Sequence, residues 1–547
     1  MKQLVCSTIF GLICFYSAFA QGVNSVNNRE AYRLLIEANN LKNKDRNCAA
    51  AVVLYEKALS LRDFKMPGYY QSLASCYAQI NNKDRAFFYL DKMLTVGWLD
   101  AESLKRDETF KPLLSDARGV KFLSKVNKAK IKFAGDLLPE NYGVKENPAI
   151  KKIAAWRNDS TVSAEDFYRL VSDFDQFPQP RKTGVFVKFT NRFSDKINAP
   201  FYVYIPIGYD AAKPHSLLVY SPGGWFSRKD FAPDEAKDFV FENPVLPFVE
   251  KNNFLEVFPA GAASVGTYQF EGIENIRQII ARVKRNFNVD DNRVYMMGFS
   301  DGGTGVYRTA VFMPTAFASF YAVNGRPFAN NQLMNMSNRP FYSLSSTEDT
   351  IYEIGTMRSF FSFADTVGAD WTYREVAGRD HYYLPFLEDY LPAIFAHMRG
   401  NSRRAFRHRL NWTTTWAPIG KIDWLEISEI DKNRPGADWH KVYEYPLNSS
   451  KGVETIKIGE DSAAVNARFY NNTFEINASR VARLIVNLHP VMVDFSQPVR
   501  ILVNGKEVFN QKISLDKEFM WKTYAENYDR SLLWANKVIV EVPKLNF

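Results

Sequence analysis

Hydrophobic positions recur along this chain with three different rhythms, and the points where the rhythm changes divide it. From about residue 28 to 130, apolar residues return at helical spacing in short units. Ala51, Tyr55 and Ala58 mark one, Ala86, Leu90 and Met93 another, with Tyr70, Leu73, Ala74 and Tyr77 between; that spacing lines one face of each helix. Residues 131–183, polar and broken by Pro139 and Pro148, read as a linker with one amphipathic helix over 164–174. From Gly184 to about 400, short apolar runs alternate with helical stretches. The runs at 185–189 and 201–205 read as strands near a sheet edge; those at 217–220, 254–258, 294–297, 317–323 and 341–344 read as buried strands. Helices are predicted over 271–287, 302–312 and 352–367. Such alternation specifies a mostly parallel sheet covered on both faces, with ligands at the carboxyl ends of its strands. After about 401 the helical rhythm fades into strand-like runs at 424–427, 455–458, 484–488 and 499–503. Asn504-Gly505 between apolar runs marks a hairpin turn, because both turn residues take positive φ. Residues 402–547 are predicted to form a β-sandwich.

The second helical unit sets Tyr70, Leu73, Ala74 and Tyr77 ahead of Ala86 at the spacing of a tetratricopeptide helix pair. Residues 21–130 thus resemble a short tetratricopeptide array, degenerate in its first unit, with a further half-unit through Leu104, Phe110 and Leu114. Small residues let paired helices approach and larger ones fill the groove between them. The resemblance implies a concave face that could hold a protein partner. The plainer alternative is a helical prefix that supports the next domain.

At 547 residues the chain is too long for one core; a prior of roughly 100–200 residues per domain gives about three. The first twenty residues read as a cleaved secretory signal: Lys2, an apolar run from Leu4 to Phe19, then Ala18-Phe19-Ala20 before Gln21. Gln21 offers no cysteine for a lipid anchor, and no later run reaches the ~18 apolar residues of a membrane span. The mature protein is therefore expected in the periplasm or outside the cell. Loss of Lys2 takes the formal charge from +9 to +8, and the scattered basic residues mark no nucleic-acid groove. Cys6 and Cys14 leave with the signal. Cys48 and Cys76 remain on predicted helices, either paired or as buried thiols. Without a CxxC or a Cys/His cluster, no zinc site is expected.

A serine hydroxyl needs an imidazole base, a carboxylate to orient it, and amide donors for the tetrahedral oxyanion. Ser300 lies in Gly298-Phe299-Ser300-Asp301-Gly302, between a predicted strand and a predicted helix, the setting of a nucleophile elbow. The acid belongs after a later strand, where Asp349 is the candidate and Glu348 its possible replacement. The base comes last: His381 follows the turn 377–380, whereas His397 falls inside the next helix and His215 lies at the wrong end of the sheet. The backbone amide of Asp301 is one oxyanion donor. The second comes from the loop Ser221-Pro222-Gly223-Gly224-Trp225, at either Gly224 or Trp225. The order Ser, Asp, His is that of α/β-hydrolases.

Three segments carry a closer resemblance: Pro206-Ile207-Gly208-Tyr209-Asp210, the Gly223-Gly224 loop, and residues 289–295 running into Gly298-Phe299-Ser300-Asp301-Gly302-Gly303. Residues 167–400 resemble the secreted esterase branch of α/β-hydrolases that includes feruloyl esterases, acetyl-xylan esterases and polyhydroxybutyrate depolymerases. The resemblance implies Ser300, Asp349 and His381 as a triad acting on an acylated carbohydrate or related ester, without metal or organic cofactor. One departure stands out: Pro222 occupies the place of the family's oxyanion-loop histidine. Trp225, Phe226, Tyr268, Asn324, Arg326, Tyr382 and Tyr383 fall in loops at the catalytic end; Trp225, Tyr268, Asn324 and Tyr382 are the candidate substrate contacts, with loop packing the plainer role for each. Trp412, Trp416 and Trp424 read first as sandwich core and second as a carbohydrate platform. Two other functions fit parts of the pattern. One is a serine peptidase of the prolyl-oligopeptidase type, which shares the elbow, though the chain has no propeller-like repeat. The other is a non-catalytic binding protein working through its helical repeats and sandwich.

Overall fold

The structure, a computed structural model, describes residues 30–544 apart from 32, 63–66, 96–100, 137, 140–146, 224–243, 260–262, 330–331, 382–386 and 388. The expected signal segment, Gly224, Trp225, Phe226, Tyr382 and Tyr383 lie outside the described residues. The chain forms two compact units. One contains the helical region through Asp136 and, among later segments, Ala377–Tyr390; the other contains Leu137–Pro233, Val245–Val376 and Leu391–Phe547.

In the helical unit, α1 (Cys48–Leu61), α2 (Pro67–Gln79) and α3 (Lys83–Thr95) are followed by α4 (Ala117–Asp136). The Asn47 side chain accepts from the Ala50 amide and so caps α1. Ala51, Tyr55, Ala58, Leu73, Ala74, Ala86, Leu90 and Met93 are buried, as their spacing requires. Glu56 on α1 accepts from the Tyr77 hydroxyl at 2.5 Å and the Tyr89 hydroxyl at 3.0 Å, and it pairs with Arg85. Cys48 and Cys76 form a disulfide between α1 and α2, with Cα atoms 4.8 Å apart. At the end of α1, Arg62 pairs with Asp389 at 2.8 Å, a contact internal to this unit.

The second unit is built on nine strands: β1 (Leu138–Pro139), β2 (Val185–Arg192), β3 (Asn198–Ile205), β4 (His215–Ser221), β5 (Leu255–Pro259), β6 (Val289–Phe299), β7 (Ser319–Val323), β8 (Phe341–Ser346) and β9 (Trp371–Val376). Their order is β1-β2-β3-β5-β4-β6-β7-β8-β9. From β5 through β9 every neighbouring pair is parallel, while β3 runs antiparallel to both β2 and β5. The runs at 185–189 and 201–205, expected near an edge, stand second and third from the β1 edge; β2 and β1 cover the outer side of β3, and Ala199 through Ile205 are all buried. Among the described helices are α5 (Ile150–Asn158), α6 (Ala164–Ser172), α7 (Phe270–Asn286), α8 (Asp301–Phe312), α9 (Ile354–Thr366) and α10 (Leu391–Gly400). Helices α7, α8 and α9 form parts of the crossovers between parallel strands, so their apolar faces and the sheet share one core.

The stretch expected as a linker with one helix contains two. Ile150 and Ile153 of α5 and Phe167 and Val171 of α6 share a core with Met520 and Tyr524 of α11 (Lys517–Asn527). That last helix interrupts a region expected to be all strand. Around it, a five-stranded and a four-stranded sheet enclose another core, which includes Trp412, Trp424, Val465, Leu484 and Ile501. Trp416, expected in that core, is instead 48% exposed, its ring edge-on to Phe270 at 4.7 Å. Asn504 and Gly505 have φ of 49° and 77°, and the strands on either side pair antiparallel. The hairpin β10 (Tyr443–Ser449) and β11 (Gly452–Ile458) leaves these sheets to pack on α9, where Tyr445 stacks on Phe363 at 4.3 Å. No helix among the described residues is long and apolar enough to cross a membrane.

Candidate active site

Parallel strands direct their carboxyl ends to one side, and there the chain brings together Ser300, Gly223, Asn324 and the loop after β8. Ser300 stands between β6 and α8 with φ 54° and ψ −122°. A residue with a side chain held there costs about 1–3 kcal/mol unless its surroundings impose it. They do: its amide donates to the Val323 carbonyl at 3.0 Å, and its carbonyl accepts from the Thr304 amide at 2.9 Å. The flanking glycines are obligatory. A Cβ on Gly298 would lie 2.5 Å from the Gly302 carbonyl, and one on Gly302 would lie 2.2 Å from the Ser221 carbonyl oxygen. The elbow thus closes between β4 and β6 because neither glycine carries a side chain.

Gly223 opens the loop expected to supply the second oxyanion donor, and a Cβ on it would lie 3.4 Å from Ser300 Cβ. The two candidates, Gly224 and Trp225, lie beyond the described part of that loop. Asp301 begins α8, where the first amides have no helical acceptor of their own. Its own carboxylate is buried, and Oδ1 accepts from the Tyr352 hydroxyl at 2.9 Å.

Asp349 is buried, and its Oδ1 accepts from the Ile351 and Tyr352 amides, both at 2.8 Å. This side-chain turn fixes the plane of the carboxylate. Its neighbour Glu348 is exposed and accepts from the Thr347 hydroxyl at 3.2 Å. Asn324 has φ 44° and is buried. Its amide donates to the Leu344 carbonyl at 2.9 Å and its Oδ1 accepts from the Ser346 amide at 3.0 Å, so it splices the ends of β7 and β8. Tyr268 is half-buried, with its ring 6.2 Å from that of Phe328.

The histidines separate by environment. His381 is buried and belongs to the Ala377–Tyr390 segment of the helical unit. His397, on α10, has Nδ1 2.8 Å from the Tyr321 hydroxyl, and burial lowers its pKa. His215, at the amino end of β4, stacks on Tyr209 at 4.6 Å with Nδ1 3.2 Å from the Asn253 carbonyl.

Sequence patterning misses Tyr352, which touches both Asp301 and Asp349. Burial pushes its phenol up to about 12, and the Asp301 carboxylate pushes the same way while Thr304 and Arg326 oppose. The phenol therefore stays protonated near neutral pH and donates. A tyrosine just after an acidic loop carries no sequence signal of its own, because its partner is remote in the chain.

No family model matches the chain. Over 205 residues, 36% of its length, it is 25% identical to the bifunctional acetylxylan esterase/xylanase XynS20E of Neocallimastix patriciarum, and it spans about a quarter (26%) of that protein. Among solved structures it is similar to a thermostable esterase, with TM-score 0.34 and 15% identity over 40% of this chain and 63% of the other. It is also similar to the butyrate-bound Est2 esterase of Thermogutta terrifontis, with TM-score 0.32 and 11% identity over 39% of this chain and 93% of the other.

Proposed function

We propose that this protein is an exported serine hydrolase of carboxylic esters, acting on an acylated carbohydrate or a related ester. The observation that carries the reading is Ser300 itself: a serine held at positive φ between two obligatory glycines, at the carboxyl end of a central parallel strand. The oriented Asp349 carboxylate two strands away supports it, as does the sequence similarity to a protein named as an acetylxylan esterase. In this reading the sheet is that of an α/β-hydrolase, residues 21–130 are a tetratricopeptide-like array, and 402–547 a β-sandwich. The disulfide between Cys48 and Cys76 suits an oxidising compartment.

The chemistry runs through an acyl-enzyme. Ser300 Oγ attacks the acyl carbon while His381 takes its proton, and Asp349 holds the imidazole in the productive tautomer. The Asp301 amide and an amide at Gly224 or Trp225 receive the oxyanion. His381 then protonates the leaving alcohol, and water, deprotonated by the same imidazole, releases the acid and restores Ser300.

A fluorophosphonate probe should label the wild type and leave Ser300→Ala unlabelled; a folded wild type that resists the probe would sink the proposal. Asp349→Asn keeps the acceptor for Ile351 and Tyr352, so it should fold while losing roughly 10³–10⁴-fold in kcat. Glu348→Gln should lose little. Activity should vanish in His381→Ala and persist in His397→Ala. Turnover of acetylated xylo-oligosaccharides rather than peptide amides would separate an esterase from a peptidase.

A further inference from the structure

Tyr352 joins the two parts of the site that the sequence holds far apart. Its backbone amide donates to Asp349 Oδ1 at 2.8 Å, and its phenol donates to Asp301 Oδ1 at 2.9 Å across a separation of 51 residues. Asp301 directly follows the nucleophile, so the residue that receives the phenol's hydrogen bond also offers the oxyanion amide. A third element closes around the same side chain. The Arg326 guanidinium lies 5.6 Å over the Tyr352 ring, and the Arg326 amide donates to Thr304 Oγ1 at 3.2 Å, on the first turn of α8. The nucleophile elbow, the loop after β7 and the acid loop after β8 thus meet at one tyrosine.

We propose that Tyr352 is a positioning residue for ester hydrolysis, clamping the acid loop to the nucleophile elbow so that Asp349 and the Asp301 amide keep their register with Ser300. The proposal rests on the serine-hydrolase reading above. Its physical basis is that the Asp301–Tyr352 bond joins a buried carboxyl to a half-buried phenol and is partly shielded from water, which makes it stronger than an exposed bond. Asp301 is also the first residue of α8, so a rotation of its backbone moves the oxyanion donor directly. Loss of the phenol removes the link without removing any group that touches substrate.

The test is Tyr352→Phe, which keeps the ring and the amide to Asp349 but deletes the hydroxyl. For p-nitrophenyl acetate, kcat should fall about 10- to 100-fold, the range that a displacement near 1 Å produces. KM should stay within about twofold, and the melting temperature should fall by only a few degrees, about what one lost buried hydrogen bond costs. Asp301→Ala tests the same bond from its other end. The double variant should lose no more than the worse single one, since one link cannot be cut twice. Wild-type kcat in a folded Tyr352→Phe, or fully additive losses in the double variant, would overturn the clamp. Fluorophosphonate labelling of the wild type keeps the two ideas apart. A labelled wild type with an indifferent Tyr352→Phe refutes only the clamp, and an unlabelled folded wild type refutes the hydrolase reading beneath it.

Discussion

Arg403 and Asp529 are joined by two hydrogen bonds, Nη1 to Oδ2 at 2.7 Å and Nη2 to Oδ1 at 2.9 Å, with both side chains shut away from solvent. Lys284 reaches the same carboxylate at 2.6 Å and Asp291 at 3.0 Å. Burial alone would raise the pKa of Asp529, but the Arg403 and Lys284 charges outweigh it and hold the carboxyl well below its usual range. Helix α7, strand β6, the segment after α10 and the residues after α11 therefore meet in one buried knot of charge. A second buried pair, Arg339 with Asp423, joins the segment before β8 to the C-terminal region.

Removing one partner of such a knot strands the others without water. Asp529→Ala is expected to destabilise the sheet-containing unit by about 3–5 kcal/mol, read as a shift of the urea midpoint. A chain ending at Gly400 should fail to give a cooperatively folding hydrolase region. A truncated chain that melts like the intact protein would show that the knot contributes little.

The elbow stores strain that a glycine relieves. Ser300→Gly should raise stability by about 1 kcal/mol while abolishing turnover. Gly302→Ala should do the reverse to stability: its Cβ would meet the Ser221 carbonyl oxygen at 2.2 Å, and the backbone shift needed costs about 1–3 kcal/mol or more. Paired thermal melts measure both, and a destabilised Ser300→Gly would contradict the strain.

His489 makes the fold sensitive to acid. Its Nδ1 accepts from the Val491 amide at 3.2 Å and its ring stacks on Phe406 at 4.2 Å. Burial pushes its pKa from 6.5 down to about 4, against a smaller opposing pull from Asp529. As pH falls between those values the unfolded chain takes up a proton that the folded one refuses. The stability present above pH 6.5 is thus lost on acidification, by roughly 3 kcal/mol once pH reaches 4. Urea unfolding at pH 7 and pH 4.5 should show the loss, and His489→Gln should remove most of it. An unchanged slope in the variant would assign the acid sensitivity elsewhere.

The Cys48–Cys76 bond closes a loop with a sequence separation of 28. By the loop-entropy relation it contributes about 3–4 kcal/mol to the helical unit. Dithiothreitol or Cys48→Ser should lower the melting of that unit and leave the sheet-containing unit nearly unchanged. Equal melting with and without reductant would mean that the bond adds nothing.

Much of the elbow was legible because its causes are local. Gly298 and Gly302 are each two residues from Ser300; the Gly302 conflict, with Ser221 and Pro222 at the end of β4, appears only once the sheet is assembled, while the Gly298 conflict is with Gly302 and Gly303 of the same junction. The same holds for Asn504-Gly505, whose positive φ values follow from the turn, and for Asp349, whose side chain binds amides two and three residues on. Trp416 went astray because apolar character shows that a residue can be buried, and only the packing around it decides whether it is.

By itself the sequence determined most strands of the central sheet, the helices between them and which serine stands at a strained junction, since periodicity and backbone sterics act over a few residues. Only the tertiary structure decided what lies across from what. The interior place of β3, the packing of α5 and α6 on α11, the Arg403–Asp529 pair and the reach of Tyr352 to Asp301 join residues far apart in the chain. Their energies come from burial and paired charge, which have no value until the sheet has assembled, and so they leave no local pattern to read.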